Sequence, residues 1–282
     1  MVGEQMSKVM DIDQYAVFGS PIGHSLSPYI HKQFAEKTGE ELSYRAEEVN
    51  AENFEQAVDA FFLSGGRGLN CTVPLKELAY QRADKLTERA RLSGAVNTLA
   101  LNENGVLLGD NTDGLGLITD LCEVLKIPVQ GKRVLILGAG GATRGILEPL
   151  LLANPQLLWL ANRTIEKARV LAAEFSDIGS VKAVQYSELT GKQFDLVINA
   201  TSASLGGELP PLPDNLLADK AVCYDLAYGK EPTIFVKWGE ANGAAKSVDG
   251  LGMLVEQAAH AFKLWRGVMP DTKGIREEIR KR

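Results

Sequence analysis

The stretch NCTVPLK, residues 70–76, combines an amide, a hydroxyl, a conformationally fixed proline and a lysine within seven residues. Pro74 disfavours a regular helix just before it, so we expect the run to end a strand and to deliver Lys76 from that strand end. A lysine in a water-poor cleft can exchange protons with a substrate, and a carboxylate partner would fix its orientation. The pattern therefore predicts a chemically active Lys76.

Asp113, in the stretch GDNTDGLG, is the leading candidate for that carboxylate partner. It follows a strand pattern and begins a helical one, where backbone N–H groups favour an aspartate. The alternative is a helix N-cap with no further role. Because sequence spacing does not show that two side chains meet, the pair of Lys76 and Asp113 is a hypothesis.

Ser25 and Ser27 lie ahead of Pro28 in GSPIGHSLSP, and a helical pattern follows. Serine is favoured as an N-cap and proline in the first turn, so we expect Ser27 to cap a helix whose free N–H groups face an anion. A substrate carboxylate would fit there. Two serines in an ordinary polar turn explain this stretch equally well when it is taken alone.

The run VLILGAGG is an apolar strand that enters glycines and is followed by a helical pattern, as in dinucleotide-binding proteins. Gly138 permits the tight turn, and Gly140 lets the backbone approach a pyrophosphate whose charge the helix N-terminus stabilises. Thr143 stands where the third glycine of the motif is expected. A glycine turn that only joins strand to helix is the alternative.

The next strand, LLWLANRT, ends in Asn162, Arg163 and Thr164 without an acidic residue. A carboxylate here would hold the ribose 2′-hydroxyl of NAD, whereas Arg163 can pair with a 2′-phosphate. The sequence therefore predicts NADP as the cofactor. Lys167 either adds a second positive contact or is an ordinary surface lysine.

Alternating strand and helix patterns predict an α/β protein with two domains. From residue 15 the order is βαβαβ, closed by a hairpin around residues 102–105, and a helix at residues 115–125 leads away from it. A second α/β series with the doubly wound pattern begins at Lys132. Residues 251–265 form one amphipathic helix. The natural domain limits lie near Asp113 and Val248.

With 282 residues, 45% of them hydrophobic, the chain can bury a core, and its net charge of −6 argues against nucleic acid as a partner. We expect neither a signal peptide nor a membrane span, and we expect residues 1–10 to be a mobile extension with Met10 as a possible start. The scattered cysteines and histidines predict no disulfide and no metal site, and they favour a cytoplasmic location. These residues are Cys71, Cys122, Cys223, His24, His31 and His260.

Eight motifs occur in a fixed order over nearly the whole chain: SLSP, NCTVPLK, GAVNT, GDNTDG, GAGGA, NRT, NATS and GLGMLVEQ. With these motifs the sequence resembles the shikimate dehydrogenase family. The resemblance implies a substrate domain of residues 1–112 and 248–282, a Rossmann-like NADP domain of residues 113–247, and a C-terminal helix that returns to the first domain. It also implies reversible NADPH-dependent reduction of 3-dehydroshikimate to shikimate, by a monomer or homodimer.

The resemblance assigns roles to individual residues. Lys76 and Asp113 match the catalytic pair. Residues that match substrate contacts, besides that pair, are Ser25, Ser27, Thr72, Asn97, Tyr228 and Gln257. Residues that match cofactor contacts are Gly138, Ala139, Gly140, Gly141, Ala142, Asn162, Arg163, Thr164, Lys167, Leu226 and Gly250. Two departures are conservative: Lys167 stands where arginine is frequent, and Leu226 where some relatives carry methionine.

Two other functions compete with this interpretation. A quinate/shikimate dehydrogenase that uses NAD tends to carry an acidic residue where Asn162 and Arg163 stand, so Arg163 argues against it. A homologue that senses the metabolite without turnover would not need both Lys76 and Asp113.

Overall fold

Two six-stranded sheets organise the structure, a computed structural model that describes residues 12–201 and 203–282. The predicted N-terminal extension and the start at Met10 fall outside these described residues. Each sheet is flanked by helices, and the two sheets follow one another along the chain. The predicted α/β class is confirmed.

The first sheet is mixed. β1 pairs in parallel with β2 and β3, whereas β5 runs antiparallel to β3 and β6. Its strands, in the spatial order β2-β1-β3-β5-β6-β4, are β1 (Asp13–Gly19), β2 (Leu42–Glu48), β3 (Gly66–Cys71), β4 (Lys85–Leu86), β5 (Thr98–Leu101) and β6 (Leu107–Asp110). Its helices are α1 (Ser27–Thr38), α2 (Phe54–Leu63), α3 (Lys76–Arg82) and α4 (Glu88–Ser93). The predicted βαβαβ start and the hairpin are confirmed.

A short helix, α5 (Asp113–Ile118), leads from the first sheet to the second. It starts two residues before the predicted helix, because Thr112 already has α-helical backbone angles and occupies the N-cap position. It continues as a π-helical turn, Thr119–Val124, in which the N–H of Leu125 donates to the carbonyl of Asp120 at 2.8 Å. The helical segment therefore begins directly at Asp113.

The second sheet is parallel throughout and has the doubly wound order β12-β11-β10-β7-β8-β9. Its strands are β7 (Arg133–Leu137), β8 (Leu157–Ala161), β9 (Val181–Val184), β10 (Phe194–Asn199), β11 (Leu217–Asp225) and β12 (Lys246–Val248). Its helices are α6 (Gly141–Leu152), α7 (Ile165–Glu174) and α8 (Ile234–Ala241). In such sheets ligands bind at the carboxyl ends of the strands, beside the point where the strand order reverses.

The chain closes with α9 (Leu251–Arg266) and α10 (Ile275–Arg280). α9 matches the predicted amphipathic helix and returns to the first sheet, where Trp265 Nε1 donates to the carbonyl of Leu99 at 3.0 Å. α10 was not predicted, because a helix of six residues shows too little periodicity to be recognised. The division into residues 1–112 with 248–282, and 113–247, stays a prediction.

Helix α5 packs with backbone contact against two other helices. A Cβ atom at Gly114 would lie 2.5 Å from the carbonyl oxygen of Gly145 on α6. A Cβ atom at Gly116 would lie 2.6 Å from the backbone nitrogen of Gln257 on α9. Since real Cβ atoms do not approach so closely, only glycine lets α5 lie between these two helices.

We predict that Gly116→Ala lowers the free energy of unfolding by about 2 kcal/mol, because its methyl group must push α9 away. Gly145→Ala is the matched control, since a Cβ atom there would meet nothing closer than 3.6 Å. Gly145→Ala should raise the free energy of unfolding by about 0.5–1 kcal/mol, because alanine has a higher helix propensity than glycine. Urea unfolding measures both, and equal effects would contradict the packing argument.

His31 lies fully buried on α1 within an aromatic cluster. Its ring stacks on Tyr44 with centroids 4.1 Å apart and planes 7° apart, and Phe34 and Trp265 surround it. Burial lowers the pKa of His31 to about 3. The folded protein therefore holds this imidazole neutral.

Because His31 takes up its proton readily only when unfolded, stability should fall as the pH falls from about 6.5 towards 3. Between pH 7 and pH 5, the free energy of unfolding of His31→Phe should fall by about 2 kcal/mol less than that of the parent. His24→Gln, at an exposed position, should keep the parental dependence. Urea unfolding at several pH values tests this, and parallel curves for parent and His31→Phe would refute it.

Candidate active site

Lys76 and Asp113 form an ion pair with Nζ and Oδ2 2.5 Å apart. The prediction that Lys76 comes from a strand end is wrong. β3 ends at Cys71, a turn closes with the N–H of Leu75 donating to Thr72 O at 2.7 Å, and Lys76 is the first residue of α3. The side chains of the pair remain 30% and 15% exposed, so a substrate can still reach them.

Asp113 does not act as an N-cap, because Thr112 occupies that position and Asp113 is the first residue of α5. Its carboxylate is instead held by side chains. Oδ2 accepts from Lys76, and Oδ1 accepts from Asn97 Nδ2 at 2.8 Å. Both oxygens are therefore oriented by residues from other elements.

Asn97 connects the pair to α9. It is 3% exposed, and its Oδ1 accepts from the N–H of Thr112 at 2.9 Å. Its Nδ2 lies 3.3 Å from Oε1 of Gln257, whose own Nε2 donates to the carbonyl of Leu254 at 2.8 Å. The structure thus brings together Lys76, Asp113, Asn97 and Gln257. Thr112, which sequence reasoning did not single out, joins them from within the GDNTDG motif.

A buried polar chain supports this group from behind. The hydroxyl of Tyr44 donates to Asn70 Oδ1 at 2.7 Å, and Asn70 Nδ2 donates to Thr98 Oγ1 and to the carbonyl of Asn97, each at 3.0 Å. Burial raises the pKa of Tyr44 well above its usual value. Sequence reasoning assigned no role to Asn70, although it begins the NCTVPLK motif, and nothing in the sequence pointed to Tyr44.

The structure places the other four predicted substrate residues at the start of α1, after β3 and after β11. Ser27 is the first residue of α1 and not its N-cap, because Leu26 already has helical backbone angles. Ser25 Oγ accepts from the N–H of Ser27 at 3.3 Å. Thr72 follows β3, and Tyr228, 39% exposed, lies in the loop after β11. Within the described ranges none of these four side chains hydrogen-bonds to Lys76 or Asp113.

The register of the second sheet gathers the predicted cofactor residues at one edge. The last residues of β7, β8, β10 and β11 are register partners. Consequently the residues that follow them, among them Gly138, Asn162 and Leu226, leave the sheet side by side. Asn162 Oδ1 accepts from the N–H of Ala139 at 3.2 Å and so ties β8 to the glycine turn.

The glycine turn has the geometry of a phosphate site. Gly138 has φ of 99°, and its carbonyl accepts from Thr143 Oγ1 at 2.7 Å, which explains why threonine is tolerated where a third glycine is expected. Cβ atoms at Gly140 and Gly141 would meet nothing within 4 Å. The turn and the exposed Ala142 therefore leave room for a ligand at the N-terminus of α6.

The end of β8 carries exposed positive charge. Arg163, Thr164 and Lys167 are exposed, and Asn162 Nδ2 donates to the carbonyl of Thr164 at 2.8 Å. In the part of the chain that the structure describes, neither Arg163 nor Lys167 pairs with a carboxylate. Their charges are therefore available, and these residues fit a 2′-phosphate.

The cofactor edge lies against the start of α9 and close to Asp113. The N–H of Gly250 donates to the carbonyl of Ala227 at 3.0 Å, and a Cβ atom at Gly250 would lie 2.2 Å from the carbonyl oxygen of Leu226. A Cβ atom at Gly145, on the helix that follows the glycine turn, would lie 3.8 Å from the Cβ atom of Asp113. The glycine turn is therefore connected to Asp113 through α6, and the residues after β11 are connected to the start of α9.

Other kinds of site find no support in the described residues. No group of three or more His, Cys, Asp or Glu side chains among them could hold a metal ion. No helix in these same ranges has the length and apolar character needed to cross a membrane. The three cysteines are free.

Three family models match the chain in sequence order. Residues 17–99 match the shikimate dehydrogenase substrate binding domain, and residues 122–206 match shikimate / quinate 5-dehydrogenase. Residues 250–280 match the shikimate 5′-dehydrogenase C-terminal domain. These matches include the stretches that carry Lys76, Asn162 and Gln257.

Curated and solved relatives cover almost the whole chain. The NADP(+) shikimate dehydrogenase of Methylococcus capsulatus is 56% identical over 95% of this chain and 96% of its own. The structure of an Ael1 enzyme from Pseudomonas putida has a TM-score of 0.90 and 45% identity, over 94% of this chain and 97% of its own. Shikimate 5-dehydrogenase from Thermus thermophilus, solved with NADP(H) and shikimate, has a TM-score of 0.85 and 35% identity, over 96% of this chain and 99% of its own. With its two sheets, its returning helix and these relatives, the chain belongs to the shikimate dehydrogenase family.

Proposed function

We propose that this chain catalyses the reversible NADPH-dependent reduction of 3-dehydroshikimate to shikimate. One observation carries the proposal: the ion pair of Lys76 and Asp113, 2.5 Å apart, lies beside α6, the helix that follows the open glycine turn, where a Cβ atom at Gly145 would be 3.8 Å from the Cβ atom of Asp113. The curated relative from Methylococcus capsulatus is named for this NADP-dependent activity. The arrangement suits an oxidoreductase that acts on a CH–OH group.

Lys76 carries the acid–base step in this proposal. Bound NADPH supplies a hydride to the ketone carbon. The ammonium group of Lys76 stabilises the negative charge that develops on the carbonyl oxygen and gives that oxygen a proton, so that C=O becomes CH–OH. In the reverse direction the neutral amine takes the proton back. Asp113 holds Lys76 in place and accepts a hydrogen bond from a substrate hydroxyl.

The remaining polar residues hold the substrate. Ser25 and Ser27, at the N-terminus of α1, suit its carboxylate, because serine hydroxyls and free helix N–H groups both donate to anions. Four residues from different elements would bind its hydroxyls: Thr72, Asn97, Tyr228 and Gln257.

The cofactor residues divide by the part of NADP that they hold. Backbone N–H groups of residues 138–142 hold the pyrophosphate at the start of α6. Leu226 and Gly250 border the nicotinamide end. The 2′-phosphate is held by Asn162, Arg163, Thr164 and Lys167, since no carboxylate at the end of β8 would repel it.

We further propose a cytoplasmic location and a monomeric or homodimeric state. Two of the three free cysteines, Cys71 and Cys223, are buried and Cys122 is partly buried, which suits a reducing compartment.

The purified chain should oxidise NADPH when given 3-dehydroshikimate, and Lys76→Ala should lower kcat about a thousandfold with little change in KM, because the ammonium group acts in the transition state. Lys32→Ala, whose side chain is 72% exposed on α1, is the matched control and should keep parental kinetics. NADPH absorbance over a range of substrate concentrations gives kcat and KM for both variants.

Three outcomes would contradict parts of this proposal. No NADPH loss with the parent would favour a binding protein without turnover. A kcat for Lys76→Ala within about tenfold of the parent would remove Lys76 from the acid–base step. Faster turnover of quinate with NAD than of shikimate with NADP would favour the quinate/shikimate alternative.

Arg163→Ala should raise the KM for NADP about 10- to 100-fold and leave the KM for NAD within about twofold, because only NADP carries the phosphate that the guanidinium pairs with. Arg169→Ala, on α7 beside Glu166 and 68% exposed, is the control. Steady-state kinetics with both cofactors test the prediction. If both KM values rose equally, Arg163 would have no place in the phosphate site.

A further inference from the structure

Helix α10 directs two arginines, one turn apart, at two buried carboxylates. Arg276 Nη1 lies 3.4 Å from Oδ1 of Asp120, which is fully buried. Arg280 Nη2 donates to Oδ1 of Asp249, whose side chain is 5% exposed. The two acceptors belong to different parts of the chain: Asp120 to the π-helical turn after α5, and Asp249 to the residue pair before α9.

Arg280 also makes a second contact, with the loop that carries Tyr228. Its Nη1 donates to the carbonyl of Gly229 at 2.9 Å. On the other side of Tyr228, the carbonyl of Ala227 accepts from the N–H of Gly250 at 3.0 Å. Tyr228 is therefore bracketed by two anchored carbonyl groups, one held by the start of α9 and the other by Arg280.

The helix that carries Arg280 is itself firmly packed against the first sheet's helices. Ile275 and Ile279 are buried in a cluster with residues of α1 and α9, such as Ile30 and Val255. The hydroxyl of Tyr29 on α1 donates to Glu278 Oε2 at 2.8 Å. Arg280 therefore connects a fixed support on the side of the first sheet to a loop that follows β11 of the second sheet.

The guanidinium of Arg280 also compensates the negative charge of Asp249, which acts on Tyr228. Asp249 is 6% exposed, and its Oδ1 also accepts from the N–H of Leu251 at 3.3 Å. A buried carboxylate is costly unless a counterion pairs with it. Burial raises the pKa of the Tyr228 phenol, and the negative charge of Asp249 raises it further.

We propose that Arg280 is a positioning residue, which acts through the Gly229 carbonyl and Asp249 to hold the Tyr228 hydroxyl in the substrate cleft. The inference rests on the proposed function, in which Tyr228 contacts the substrate. Because Arg280 does not touch the reacting atoms, its loss should weaken substrate binding and leave the chemical step intact.

Arg280→Ala should raise the KM for shikimate about tenfold, with kcat and the KM for NADP within about twofold of the parent. Arg280→Lys should reverse part of this rise in KM, since an ammonium group can pair with Asp249 but lacks the longer planar fork with which arginine reaches both acceptors. The matched control is Arg282→Ala. Its guanidinium carbon lies 3.7 Å from the ring centroid of Tyr29, and its kinetics should be parental.

A double-mutant cycle distinguishes positioning from a general loss of structure. If Arg280 acts through the Tyr228 hydroxyl, Arg280→Ala should add little to the KM effect of Tyr228→Phe. Independent effects that multiply in the double variant would overturn the proposal, as would an unchanged KM in Arg280→Ala.

A second variant separates stability from positioning, because Arg280→Ala leaves the Asp249 carboxylate buried without its counterion. Arg280→Ala combined with Asp249→Asn removes both charges and should regain thermal stability, while the KM for shikimate stays raised because Gly229 remains unanchored. A KM that returned to the parental value together with stability would show that Arg280 has a structural role alone.

Hydrogen exchange tests the inference without turnover and so separates it from the proposed function. Arg280→Ala should speed amide exchange in residues 226–232, and Arg282→Ala should not. If amides of residues 226–232 exchanged in Arg280→Ala as slowly as in the parent, the positioning role would be overturned. Faster exchange in a chain that fails to turn over shikimate would support the anchor and count against the proposed function alone.

Discussion

Helix α5 can carry Asp113 into the junction of the two sheets only because its glycines let neighbouring helices touch its backbone. A side chain at Gly114 would collide with the Gly145 carbonyl, and one at Gly116 would collide with the amide of Gln257. These two contacts set how far the helix that follows the glycine turn lies from the helix that carries Gln257. Contacts between backbones adjust less than contacts between long side chains, so they fix the spacing of these helices closely.

Within that frame, Asn97 joins segments that are distant in the sequence. Its amide and carbonyl groups contact β3, α5 and α9 through Asn70, Asp113 and Gln257. An unpaired buried polar group costs about 1–3 kcal/mol, so a network in which each member has partners favours one arrangement of these side chains over others. The ion pair of Lys76 and Asp113 therefore rests on a rigid polar support, while its own side chains keep some access to solvent.

Much of the fold was predictable because it depends on local patterns. The hairpin, the doubly wound order and α9 all followed from periodicity and turn residues, and the ordered motifs led to the correct family. The errors were equally local in origin. Lys76 begins a helix because the turn after β3 continues into α3, and Leu26 replaces Ser27 as the N-cap because helical angles start one residue earlier. Helix α10 was not predicted, because a segment of six residues shows almost no hydrophobic periodicity.

By itself, the sequence determined the types of element, the glycine turn and the basic residues at the end of β8, since each depends on residues that are neighbours along the chain. Only the tertiary structure decided that Lys76 reaches Asp113, that Asn97 joins Gln257 to the pair, and that Arg280 holds the loop of Tyr228. These contacts connect segments that meet only after the sheets have formed and packed. Separation along the chain says nothing about such distances, because loops and crossovers of very different length can bring the same two side chains together.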